Sequence, residues 1–378
     1  MALEHTPIET LSEAARKVLG GAGPAKMMAA RGLAPLKPSD LATVLYQLAI
    51  GGEDAVAQAA QKTAGELPEK VLIGALADAA LDPRVLDFFA PRVLGKQPLI
   101  EALLLNRATA DETVLGVVPR LGEKEVELIA TNEQRLLRNP AIIGAMYMNP
   151  RARMSTVDKA VELAVRHQLT VPGIAAWDDI VQAVLGAKMN PVTPEKTAEI
   201  DAAFAAVAAV VAQPDAARTG GELIEVTDDD LERINAEEEK QVAEETKKIP
   251  IEKLPIPAKI RLATLGNSFA RSILIRDTNK QVALAAIRSP GVTDNEAVKF
   301  SANRALSDDV VRVIANTKEW TKLYQVKVNL LNNPKTPLPV AMRFLPFLHP
   351  KDLRNVARSK GIPSALVQQA RKLLSAKS

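Results

Sequence analysis

An all-α fold of stacked helical repeats, an α-solenoid, is what this 378-residue sequence predicts, on three observations. The first is a recurring phrase. Asn190-Pro-Val-Thr-Pro194 returns as Asn333-Pro-Lys-Thr-Pro337, and related forms stand at Asn106-Arg-Ala-Thr109, Asn149-Pro150 and Ser289-Pro-Gly-Val-Thr293. The joints at 106 and 149, at 149 and 190, and at 289 and 333 are 43, 41 and 44 residues apart. HEAT and armadillo units repeat at about 40–47 residues, so the spacing points to a solenoid of that kind. The second is composition: 47% hydrophobic but only 3% aromatic residues suits short helices packed through Leu, Ala, Val and Ile. The third is register, with Leu121 on Leu306 and Ile129 on Ile314 at an offset of 185, and Asn149 on Asn333 at 184.

The joint reads as a helix start. A threonine at the N-cap accepts a hydrogen bond from an orphan backbone N–H, and a glutamate three residues later bonds the cap's own N–H. Thr63-Ala-Gly-Glu66, Thr109-Ala-Asp-Glu112 and Thr293-Asp-Asn-Glu296 have this pattern. After Thr193 and Thr336 comes proline, which suits the first helical position because its missing N–H would have had no partner there. A buried leucine and a turn then close each first helix, at Leu121, Leu306 and Leu348, and second helices follow near Val126, Val311 and Leu353. A third helix ends at the next joint. In the best-marked unit the three are predicted near 293–303, 307–316 and 321–331, closer to armadillo than to two-helix HEAT.

Composition divides the chain in three: an N-terminal solenoid half, 1–212; an acidic linker, 213–250; and a basic C-terminal half, 251–378. Residues 215–250 hold 12 Asp/Glu against 5 Lys/Arg, with apolar residues too sparse to bury. Residues 251–378 hold 22 Lys/Arg against 8 Asp/Glu, a net +14, whereas residues 1–250 carry net −11; the overall +3 conceals this split. Such an excess attracts polyanions and fades with salt, and the acidic linker is itself a polyanion tethered beside it.

Lys318, Lys322, Gln325 and Asn329 fall at i, i+4, i+7 and i+11, one stripe on a predicted third helix. By repeat equivalence Lys280 and Arg288 flank the preceding third helix, and Gln368, Arg371 and Lys372 lie on the following one. The stripe reads either as a solvated face or as the lining of a basic groove. Trp320 and Tyr324 beside it read either as packing between repeats or as a stacking platform.

Catalytic and metal signatures do not emerge. There is no Cys and only three His, at 5, 167 and 349, and no HExxH, Gly-x-Ser-x-Gly, P-loop or Rossmann fingerprint. Gly20-Gly-Ala-Gly-Pro24 follows a helix where a phosphate loop follows a strand, so it reads as a linker. Asp228-Asp-Asp230 lacks the Gly and Glu spacing of an EF-hand. The N-terminus lacks a basic stretch followed by an apolar run, and no segment approaches the ~20 apolar residues of a membrane span, so a soluble cytoplasmic protein is expected. No enzyme activity, cofactor or metal is expected.

Lys259-Ile-Arg-Leu-Ala-Thr-Leu-Gly-Asn267, Leu274-Ile-Arg-Asp-Thr-Asn-Lys280, Ile287-Arg-Ser-Pro-Gly-Val-Thr-Asp-Asn-Glu296 and Glu319-Trp-Thr-Lys-Leu-Tyr324 resemble a repeat-containing family of myxobacteria and related deltaproteobacteria. The resemblance covers about the last third of the chain. It implies a bacterial cytoplasmic repeat protein and carries over no site residues. The expected function is a non-enzymatic scaffold that binds an acidic protein partner through the basic half; the alternative is nucleic-acid binding through the same groove.

Overall fold

The computed structural model describes residues 4–51, 54–175, 177–187, 193–211, 251, 254–359 and 361–377. The acidic segment 213–250 and the phrase 190–192 lie outside the described residues. Those described form short helices joined by turns, with no strand among them, and no helix among them is long and apolar enough to cross a membrane. The fold is all-α. By contact the chain divides into two compact units, Met1–Gly173 and Ile174–Ser378. Composition divides it at 212 instead, and the difference has a physical basis. Helices Trp177–Ala187 and Pro194–Val211 pack on Ile256–Leu265; Phe204 is buried, with the Arg261 guanidinium 4.6 Å from its ring centre.

Local amphipathicity sets the buried faces. In helix Pro350–Arg358, Leu353, Val356 and Ala357 are buried while Lys351, Arg354 and Arg358 are exposed. Leu121, Leu306 and Leu348 are buried, as their place at the turns implies.

The recurring joint is an asparagine clamp. A carboxamide carries two donors and one acceptor oxygen, and three buried asparagines use them alike. Nδ2 of Asn106 donates to the carbonyls of Leu76 (2.7 Å) and Asp78 (2.9 Å). That of Asn149 donates to Val118 (2.8 Å) and Leu121 (3.0 Å), and that of Asn333 to Ser301 (3.2 Å) and Asn303 (3.4 Å). In each, Oδ1 accepts the N–H two residues on, from Ala108, Arg151 and Lys335. The clamp ties each joint to the backbone 28–32 residues earlier. Ser289 has one donor and makes the reduced version, donating to Thr264 O (3.1 Å) and accepting from Gly291 N–H (3.4 Å).

The clamp also fixes where the next helix starts. The N-cap lies four residues after the joint residue each time, at Ala110, Arg153, Thr293 and Pro337. Only after Ser289, where one extra residue intervenes, does this put a threonine at the cap. The predicted capping box therefore forms at Thr293, whose Oγ1 accepts from Glu296 N–H (3.3 Å) while Glu296 Oε2 accepts from Thr293 N–H (2.8 Å). It does not form at Thr109, which is buried and donates to Leu103 O (2.6 Å). At Thr336, likewise buried, the cap is Pro337 and not the threonine. Thr63 is no helix start either, since it lies inside helix Asp54–Glu66. Thr293→Ala should therefore cost ~1 kcal/mol; an unchanged midpoint for the second unit, followed by tryptophan fluorescence, would argue against the cap.

Glu296 has a second role. Its carboxylate holds the buried Arg271 bidentately, through Nε (2.8 Å) and Nη2 (2.9 Å), while Arg271 Nη1 donates to Gly266 O (2.6 Å). One carboxylate thus links helix Ser268–Leu274, through Arg271, to the start of helix Asp294–Ala302. In the first unit the glycine-rich run joins helix Glu13–Leu19 to helix Gly23–Ala30, which begins within the run and has Pro24 in its first turn.

Candidate interaction surface

The predicted third helix of the best-marked unit is two helices, Lys318–Lys322 and Tyr324–Asn332. Leu323 between them is extended, φ −65° and ψ 128°, so helical periodicity does not run from Lys318 to Asn329 and the four residues do not form one stripe. The first unit shows the same arrangement, short helix Glu133–Arg138 preceding Ala141–Tyr147.

The residues separate accordingly. Lys318 and Lys322 are exposed, and neither has an acidic partner among the described residues; Trp320 between them is half-buried. Asn329 is no groove residue. It is buried, and its Nδ2 donates to Val298 O and Ser301 Oγ, both at 3.0 Å, while its Oδ1 accepts from Gln325 (3.1 Å). Lys280 and Arg288, at either end of helix Lys280–Ile287, are ion-paired to Asp309 (3.0 Å) and Asp179 (2.7 Å), which offsets their charge. Asp179 is partly buried, and that burial raises its carboxyl above the ordinary value against the opposing pull of Arg288. Gln368, Arg371 and Lys372 are exposed on helix Ser364–Lys377, with Arg371 Nε donating to Ala357 O (3.3 Å).

Tyr324 is a packing residue rather than a platform. Its hydroxyl donates to Asp352 Oδ2 (2.5 Å) and accepts from His349 N–H (2.9 Å), and its ring lies 4.4 Å from the His349 ring. His349 is the N-cap of Pro350–Arg358 but makes no side-chain cap bond, so a tyrosine from another helix serves its N–H. Burial, then the bond to Asp352, push the phenol up to about 12 from 10.0. Raising an acid's pKa favours its neutral form, so the stability this gives is complete below pH 10 and lost as pH rises through about 12. Asp352→Asn should return the Tyr324 titration toward its ordinary value, read as tyrosinate absorbance; an unmoved curve would remove the bond from the explanation.

Phe347 carries no signal in the sequence pattern, yet it is 65% exposed with the Lys327 ammonium 5.7 Å from its ring centre. Its exposure depends on the 3-10 turn Leu345–Phe347, which follows Leu338–Phe344 directly. No group of three or more His, Asp or Glu placed to hold a metal occurs among the described residues. No family model, curated protein or solved structure matches the chain.

Proposed function

We propose that this chain is a non-enzymatic interaction scaffold, an α-solenoid of HEAT/armadillo-like repeats working in the cytoplasm, whose basic C-terminal portion binds an acidic protein partner. The observation that carries this reading is the contrast among the cations. Lys280 and Arg288 are held by acids, whereas Lys318 and Lys322 project from a short helix without one among the described residues. The half-buried Trp320 between them supplies the aromatic contact area that anchors interfaces. The repeated asparagine clamp supports the solenoid part, since neighbour-to-neighbour ties of one kind are how stacked repeats are held.

Lys318→Glu/Lys322→Glu should abolish capture of the partner while leaving the helical circular-dichroism signal and melting midpoint unchanged. Full-length protein, wild type and variant, would be titrated with a poly-glutamate peptide and with a DNA duplex at two salt concentrations. Peptide binding lost in the variant supports the reading, preferential duplex binding transfers the site to nucleic acid, and binding by the folded variant equal to wild type overturns it.

A further inference from the structure

A cavity of about 680 Å³ lies in the first unit, lined by residues of the N-terminal segment and of helices Glu13–Leu19, Gly23–Ala30 and Pro38–Gly51. One wall is backbone pinned in place. The buried Gln47 donates to Thr6 O (3.1 Å) and to the Thr6 hydroxyl, and its carbonyl oxygen pairs with His5 Nδ1. Tyr46 Oη donates to Glu4 O (2.5 Å), and Arg84 Nη1 to His5 O (3.1 Å). Five side-chain bonds thus hold residues 4–6 in place.

The lining is divided by chemistry. Ile8, Leu11, Leu19, Leu48 and Val56 are apolar, Arg16 and Lys26 are cationic, and no Asp or Glu contributes. Neither Arg16 nor Lys26 has an ion pair or side-chain hydrogen bond among the described residues. A neighbouring cavity of about 540 Å³ is the reverse, lined by Asp40, Asp78 and Asp82 with no Lys or Arg. The first cavity falls in the range of about 300–1,000 Å³ typical of small-molecule sites, which combine apolar walls with a few polar groups that orient the ligand. Ile8, 68% exposed, is an apolar side chain that a ligand would cover.

We propose that this cavity binds a small amphipathic carboxylate, its tail against Leu11, Leu19, Leu48 and Val56 and its carboxylate at Arg16 and Lys26. Burial of the tail supplies affinity in proportion to the apolar area covered, and charge-assisted bonds from two cations select the anion. The site is independent of the basic surface of the second unit, so either can fail alone.

Isothermal titration of the full chain with decanoate, below its micelle concentration, tests it, with decanol and decylammonium as neutral and cationic controls. Saturable uptake of one decanoate per chain is expected, at least tenfold tighter than either control and at least tenfold weaker in Arg16→Gln/Lys26→Gln. A Cβ at Gly23 would meet nothing within 4 Å, so Gly23→Phe should fill the cavity and remove binding without disturbing the fold. No decanoate uptake, equal uptake of a control, or a folded Arg16→Gln/Lys26→Gln variant that binds as wild type does would overturn the proposal. So would binding to vesicles of anionic lipid with no uptake of free decanoate, which would indicate a membrane-facing surface.

Discussion

Arg271→Leu is expected to destabilise the second unit by about 3–5 kcal/mol, the usual cost of removing one partner from a buried ion pair. Arg271 is 1% exposed and Glu296 8% exposed, so neither charge can turn to solvent when the other is deleted. The deletion removes two bonds to the Glu296 carboxylate and one to Gly266 O, and it leaves Glu296 bonded to the Thr293 N–H and hydroxyl. The effect should exceed that of Thr293→Ala, because that variant loses the two bonds of the Thr293 hydroxyl but keeps the Arg271–Glu296 pair, whereas deleting Arg271 leaves the buried Glu296 charge without its counterion. Both tryptophans, Trp177 and Trp320, lie within 174–378, so urea unfolding followed by tryptophan fluorescence reports on the second unit alone. The double variant Arg271→Met/Glu296→Leu should recover much of the loss, since apolar replacement of a buried pair is often neutral. A change below about 1 kcal/mol in the single variant would mean that water reaches the site, contrary to its burial.

The helical class and the joint were legible because both are written in local spacing. Asn106, Asn149 and Asn333, which mark joints in the sequence, all form the clamp, and Thr293 and Ser307 cap the helices predicted to start there. What failed was the meaning of the threonine. Thr109 and Thr293 share one pattern with glutamate, yet they differ in distance from the joint residue, three against four, and the clamp places the helix start at four. Capping there is decided by a long-range bond that a four-residue window does not contain.

The candidate surface was legible in charge but not in geometry. The periodicity that joined Lys318 to Asn329 assumed a continuous helix, and Leu323 interrupts it without a Pro or Gly to mark the break. Nor does any local pattern pair Lys280 with Asp309 or Arg288 with Asp179, residues 29 and 109 positions apart. The sequence therefore counts the cations correctly and cannot say which are already neutralised. The acidic segment, which accounts for much of the charge asymmetry, lies outside the described residues.

Asn149→Ala should cost the first unit about 3 kcal/mol, because it orphans two buried carbonyls at roughly 1–3 kcal/mol each, partly relieved by relaxation. Asn149 is 0% exposed, so water cannot replace the lost donors without opening the joint between Val118 and Leu121 on one side and Arg151 on the other. Asn149→Asp is the sharper test. It keeps an oxygen for the Arg151 N–H but sets a second oxygen against the two carbonyls, and it should be at least as damaging as alanine. Asn149→Ser, patterned on Ser289, keeps one donor and should lose less than alanine. The first unit contains no tryptophan, so hydrogen exchange at the Arg151 amide and the neighbouring helix Met154–Arg166 is the fitting readout. Faster exchange confined to this joint and graded Ser, Ala, Asp is the expected result. Protection equal to wild type in all three variants would show that apolar packing alone holds these helices together and that the clamp merely accompanies it.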